Sequence, residues 1–218
     1  MGRPARIAMT IASIAAVAVV AVVVLMTRSD SDAGTQPSAD DGSAQVVRDN
    51  SHRLNAPGHV EATFVEFLDF ECEGCRAAYP MVEEVRAEYG DRVEFVVRYF
   101  PLPGHFNAQR AARAVEAAAQ QGQLEAMYQK MFETQAQWGE QQTPADDVFR
   151  GFAAELGLDL AAFDATYNDP ATVERIQLDI NDGKELGVRG TPSFFIDGVQ
   201  VRPRGPGDLR TALDQALQ

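Results

Sequence analysis

An almost wholly apolar run, Thr63-Phe64-Val65-Glu66-Phe67-Leu68, is followed by a helical pattern and then by a second such run, Val93-Glu94-Phe95-Val96-Val97-Arg98-Tyr99-Phe100. Strands this apolar are buried on both faces of a sheet. The helix between them carries Tyr79, Met81, Val82 and Val85 on its inner side and ends near Tyr89-Gly90-Asp91, with Gly90 expected as the C-cap. Two such strands joined by one helix are predicted to be parallel, with a right-handed crossover. Pro80 should kink the helix near its start, and Pro101 and Pro103 stop the second strand.

The chain's two cysteines, Cys72-Glu73-Gly74-Cys75, sit at the joint between the first strand and that helix. A thiolate at a helix N-terminus is stabilised by unpaired backbone N–H groups and the positive end of the dipole. It is then a better-populated nucleophile and a better leaving group, as disulfide exchange requires. The bland alternatives are weak. Tetrahedral zinc needs two further ligands, which would have to come from His52, His59, His105 or carboxylates, and His52 and His59 lie outside the usual spacing. A disulfide closing so short a loop restricts little unfolded-chain entropy, so it is a poor staple. Thiol–disulfide exchange is the expected chemistry.

Residues 7–26 contain no charged side chain, and twenty residues at 1.5 Å each reach about 30 Å, enough to cross a bilayer core. No small-x-small site follows at Leu25-Met26-Thr27-Arg28, so residues 1–28 read as an uncleaved single-pass anchor. Arg3 and Arg6 precede the span and leave the N-terminus cytoplasmic by the positive-inside rule. Everything beyond it is then extracytoplasmic, where disulfides persist. Residues 29–45 are rich in Ser, Asp, Gly and Ala and read as a solvated linker. Residues 46–218 suffice for one well-buried domain. The formal net charge of the 218 residues is −13, although residues 1–28 carry three arginines and no acid. That balance argues against nucleic acid and against adhesion to an anionic membrane surface, and is read mainly as solubility.

From Asn107 to Leu186 the pattern is helical, with segments expected at Ala108–Gln121, at Leu124–Gln137, after Thr143-Pro144 and after Asp169-Pro170, the last closed by Gly187. The Met and aromatic stripes there are core positions. The period then returns to two: Ser193–Ile196 and Val199–Val201 flank Asp197-Gly198, a type I′ hairpin signal. A closing helix is expected over Gly207–Leu217. No nucleotide-binding glycine motif is present.

At this point the chain resembles the thioredoxin superfamily and, within it, the DsbA-like group in a membrane-anchored layout similar to actinobacterial and other Gram-positive members. The segment FVEFLDFECEGC, Pro80, the helical block and the stretch VRGTPSFFIDG (188–198) carry the resemblance, which covers about residues 46–218. It implies an α/β thioredoxin-like fold with a helical subdomain inserted at about 105–186, preceded here by one transmembrane helix. It further implies that Cys72 is the exposed nucleophile, Cys75 the more buried resolving thiol, and Thr191-Pro192 a cis peptide facing them, at which a substrate strand pairs. X-Pro is the one place where a cis bond is cheap. Glu66 matches a buried acid beneath the active site, with a raised pKa and a proton for Cys75; the alternative is an edge carboxylate facing water. His105 is similar to a loop histidine of the family and is read as a loop contact.

The resemblance implies no metal and no cofactor beyond the Cys72–Cys75 disulfide. Unfolded or reduced exported proteins would be the clients, and a DsbB-like or vitamin-K-epoxide-reductase-like membrane protein would reoxidise a monomeric enzyme. Glu73-Gly74 departs from the strongest oxidants, which carry a histidine there. Asp69, Glu71 and Glu73 are expected to oppose the thiolate and pull the pair toward reducing poise. The leading reading is therefore an extracytoplasmic dithiol oxidase. A membrane-anchored reductase or isomerase and a client-binding, holdase-like module are the alternatives.

Overall fold

The computed structural model describes residues 44–218. The anchor read at residues 1–28 and most of the linker at 29–45 lie outside the described residues. Among the described residues no helix is long and apolar enough to cross a membrane.

Five strands form one sheet: β1 (His52–Arg53), β2 (Ala62–Leu68), β3 (Val93–Tyr99), β4 (Ser193–Ile196) and β5 (Val199–Val201). Their order is β1-β3-β2-β4-β5. β2 and β3 run parallel, with Glu66 opposite Val97, across the crossover helix α1 (Glu73–Tyr89). β4 lies antiparallel to the other side of β2, and β5 returns along β4 through Asp197 and Gly198, both at positive φ as a type I′ turn demands. The short edge strand β1, antiparallel to β3, is too brief to leave a periodic signal.

α1 continues through Pro80 to Gly90, which caps it in ordinary right-handed geometry and not in the left-handed form expected of a C-cap glycine. A Cβ on Gly90 would lie 2.6 Å from the Arg86 carbonyl oxygen, so close approach is what requires glycine there. The helical block has one more element than the sequence pattern implies: α2 (Ala108–Ala119), α3 (Leu124–Trp138), α4 (Asp146–Glu155), α5 (Leu160–Asn168) and α6 (Pro170–Glu185). Gly157, at φ 72°, breaks α4 from α5, and the Asp159 carboxylate caps α5 by accepting from Ala161 and Ala162 N–H. Thr143-Pro144 does not open a helix. α4 starts two residues later, where Asn107 takes over by accepting from Ala145 N–H. Asp169 and Pro170 do open α6 by the expected device. The chain closes with α7 (Pro206–Ala216).

Alternation along β2 divides the core in two. Phe64 and Leu68 face α1, α7 and the helical block, whereas Val65 and Phe67 face Phe100, Val188 and Phe195 on the other side. Glu66 points with Phe64 and Leu68, toward the α1 side.

Candidate active site

The sheet delivers Cys72 and Cys75 to the C-terminal end of β2, where the chain turns into α1. Cys72 is the N-cap residue, so the first N–H groups of α1 point at its sulfur. Its thiol donates to Thr191 O at 3.4 Å, and the Thr191–Pro192 peptide bond is cis. A Cβ on Gly74 would sit 3.4 Å from Pro192 Cδ and 3.5 Å from Cys72 Sγ, which shows how closely the loop covers the motif. Cys75 is fully buried one turn along, its sulfur accepting from Asp69 N–H at 3.5 Å. The structure thus brings together four of the five residues singled out, with Glu66 in the wall beneath them.

The two thiols differ sharply. A hydrogen bond from the Cys75 thiol lowers the Cys72 pKa to about 5, against the opposing effect of burial. The Thr191 side chain and the N–H groups of Cys75 and Gly74 add to the lowering. Cys75 is pushed well above its ordinary value by burial, then by its bond to Cys72 and by Glu66. Glu66 is only 2% exposed. Burial, then the charges of Glu83 and Cys72, raise it to about 8, so it is not an edge carboxylate facing water. It is protonated at neutral pH and shares the interior with Cys75.

The acids expected to oppose the thiolate are largely engaged elsewhere. Asp69 is buried and accepts from Leu102 N–H, Glu71 N–H and the His105 ring at 2.6 Å. Burial raises the Asp69 pKa and opposes charge on His105, but the hydrogen bond that His105 donates to Asp69, together with the nearby negative charges of Asp69, Cys72 and Glu71, holds the His105 pKa above its ordinary value. His105 is thus a contact between loops, made to the carboxylate of the residue whose backbone N–H holds Cys75. Glu71 accepts from Asn107 N–H at 2.5 Å and Glu140 N–H at 2.9 Å, fastening the motif to the start of α2 and the end of α3. Only Glu73 stays exposed, beside the Glu140 carboxylate, with which it shares a hydrogen bond.

Sequence reasoning missed Gln135. Its amide donates to the carbonyls of Phe70 at 2.7 Å and Cys72 at 3.0 Å, so α3 grips the backbone of the motif loop directly. Gln135 lies on the face of α3 that carries Tyr128 and Phe132, and nothing in the sequence marks which loop that face meets. Cys72 is itself only 9% exposed, because the cis-proline loop covers it, so it is not the exposed nucleophile expected. An asymmetric dithiol of this kind, one sulfur ionised at the helix N-terminus and one protonated deeper within, is suited to thiol–disulfide exchange through a mixed disulfide on the first sulfur.

A family model described as Thioredoxin matches residues 56–215. The Na(+)/H(+) antiporter NhaA of Herminiimonas arsenicoxydans is 37% identical over 158 residues, covering 72% of this chain and 24% of that protein. The chain thus spans about a quarter of the length of the curated relatives it matches. Among solved structures, a thioredoxin-like oxidoreductase from Silicibacter pomeroyi is 29% identical with a TM-score of 0.65, covering 78% of this chain and 93% of that one. Wolbachia pipientis alpha-DsbA1 is 20% identical with a TM-score of 0.67, covering 79% and 93%.

Proposed function

Since the chain belongs to the thioredoxin family, we propose that it is a thiol–disulfide oxidoreductase of the DsbA type, working through its Cys72–Cys75 pair, and that it oxidises dithiols of exported proteins outside the cytoplasm. In this reading a client thiolate attacks Cys72 Sγ of the Cys72–Cys75 disulfide, the S–S bond breaks, and Cys75 leaves. Glu66, protonated at neutral pH, supplies the proton that Cys75 takes up. A second client thiolate attacks its own mixed-disulfide sulfur and expels Cys72 as a thiolate. The client has lost two electrons, and the Cys72–Cys75 pair has gained them. Thr191 and Pro192 hold the client strand across the motif.

The observation that carries the reading is the asymmetry of the two sulfurs, Cys72 at the α1 N-terminus and Cys75 buried behind it. Stabilising the thiolate stabilises the reduced pair, which makes the disulfide the better oxidant. The run at residues 7–26 supports a single-pass anchor with the N-terminus cytoplasmic. A DsbB-like or vitamin-K-epoxide-reductase-like membrane protein is the class of partner that would reoxidise the pair. Confinement to one membrane raises the effective concentration of the two. Relatives named as Na(+)/H(+) antiporters fit a membrane setting, but ion transport belongs to them and is not carried over.

The test is the reduction potential of the Cys72–Cys75 pair in the full chain, equilibrated in graded thiol–disulfide buffers. A value at or above about −180 mV supports the oxidase; about −270 mV would make it a reductase.

A further inference from the structure

The described part of this acidic chain leaves very few basic side chains without an ion pair. Arg53, Arg86, Arg110, Arg150 and Arg210, all on or near the surface, each meet a carboxylate within 2.9 Å. Among the described residues only Arg76, Lys184, Arg189 and Arg202 have no carboxylate within 4.0 Å. Two of these four line one groove. It has a volume of about 320 Å³ and runs between the cis-proline loop and β5, with Arg189, Pro192, Phe194, Gln200, Arg202 and Pro203 in its walls. Arg76 is exposed directly after Cys75.

The groove adjoins the motif through Pro192, which lines it and whose Cδ would lie 3.4 Å from a Cβ on Gly74. Its outer wall, β5, is the edge strand of the sheet, and Val199 on it is 67% exposed. Unpaired arginines beside an apolar floor are matched by carboxylates, which the planar guanidinium grips with two parallel N–H bonds. Glu73, next to Cys72 in the chain, is exposed and interacts with the exposed Glu140, and neither lines the groove.

We propose that the groove between the cis-proline loop and β5 selects client segments carrying a carboxylate side chain beside the reacting cysteine, held by Arg189 and Arg202. This rests on the oxidoreductase reading and names the client chemistry that the same site prefers.

The test uses the full chain, oxidised, and short peptides with a single cysteine flanked on either side by Gly, Asp or Lys. Mixed-disulfide formation at Cys72 is followed by mass, and each rate is divided by that peptide's rate with neutral 2-hydroxyethyl disulfide, which removes the effect of flanking charge on the peptide thiol. With Asp on one side of the cysteine the normalised rate should exceed that with Lys by about fivefold, the worth of two exposed ion pairs. The gap should close as ionic strength rises from about 0.01 M to about 1 M, where the screening length falls from about 30 Å to about 3 Å. Replacing both arginines by glutamate (R189E/R202E) should reverse the preference. Equal normalised rates or a Lys preference in the unaltered chain overturn the inference, as does an Asp preference that survives in the double variant. Oxidation of dithiothreitol by the unaltered chain separates the two levels. Its absence sinks the oxidoreductase reading, whereas its presence without discrimination among peptides sinks only the groove's selectivity.

Discussion

At neutral pH a Cys72 thiol with a pKa near 5 is almost wholly ionised, whereas Cys75 holds its proton. Two pH units of thiolate stabilisation amount to about 2.7 kcal/mol in favour of the reduced pair. By the two-electron relation that is about 60 mV toward oxidising poise. Alkylation with iodoacetamide should therefore follow a single ionisation centred near pH 5, confined by mass mapping to Cys72; a midpoint above pH 8 would refute the asymmetry. Glu66 offers a second residue-level test. An unfolded carboxyl near 4.5 raised to about 8 in the fold costs about 3 kcal/mol at pH 7, because the native state must hold a proton that the unfolded chain has lost. Glu66→Gln removes that cost and should raise stability by about 2–3 kcal/mol at pH 7 in urea titrations. The same variant should slow formation of the mixed disulfide on Cys72, since the leaving Cys75 loses its proton source.

Between elements, the contacts that hold the motif come from the helical block. Gln135 of α3 bonds two carbonyls of the motif loop, and Glu71 bonds N–H groups at Asn107 and Glu140. Gln135→Ala would leave the carbonyls of Phe70 and Cys72 buried without that donor, at a cost of about 1–3 kcal/mol. The expected outcome is a lower urea midpoint with a shifted Cys72 alkylation midpoint; an unchanged alkylation midpoint would mean that α3 does not position the sulfur. None of this was legible in the sequence. Periodicity reports which face of a helix is buried, and Gln135 lies on the buried face of α3 with Tyr128 and Phe132. It does not report which loop that face meets. Caps with local chemistry, such as Asp169-Pro170, were legible, whereas the α4 start depends on Asn107, thirty-eight residues away.

Across the whole domain, a buried ion cluster ties the start of the described chain to the sheet and to α6. Arg98 of β3 donates to Asp179 and Asp182 and to the carbonyls of Gln45 and Val46, while Arg48 grips Asp182 twice. Close packing there also needs Gly183, where a Cβ would fall 2.7 Å from the Phe100 ring. Burial alone would raise the Asp182 pKa, but hydrogen bonds from Arg48 and Arg98 bring it below its ordinary value. Its stabilisation is therefore present above the unfolded value and lost as pH falls through the folded one. Asp182→Asn should destabilise the domain by about 3–5 kcal/mol, because Arg48 and Arg98 would stay buried beside a neutral partner. Glu66 has the opposite sign: its raised pKa makes stability fall as pH rises from about 4.5 to about 8, and the raised His105 pKa acts in the same direction. Stability measured against pH should thus peak on the acid side of neutrality. Glu66→Gln should flatten only the upper limb, and a maximum above pH 8 would contradict this balance.

The β-α-β order, the hairpin at Asp197-Gly198 and the placing of Cys72 and Cys75 at a strand–helix joint were determined by the sequence alone. Each rests on local chemistry: apolar runs that must be buried, a turn that needs positive φ, and a motif that borrows N–H groups from its own helix. The state of the charges around the motif was decided only by the tertiary structure. Asp69, Glu71 and Glu73 look equivalent in the chain, yet the His105 ring bonds the first, two backbone N–H groups hold the second, and only the third faces solvent. Electrostatic effects depend on burial and on partners brought from distant segments. The poise of the thiol pair, unlike its presence, therefore emerges only when the helical block closes over the end of β2.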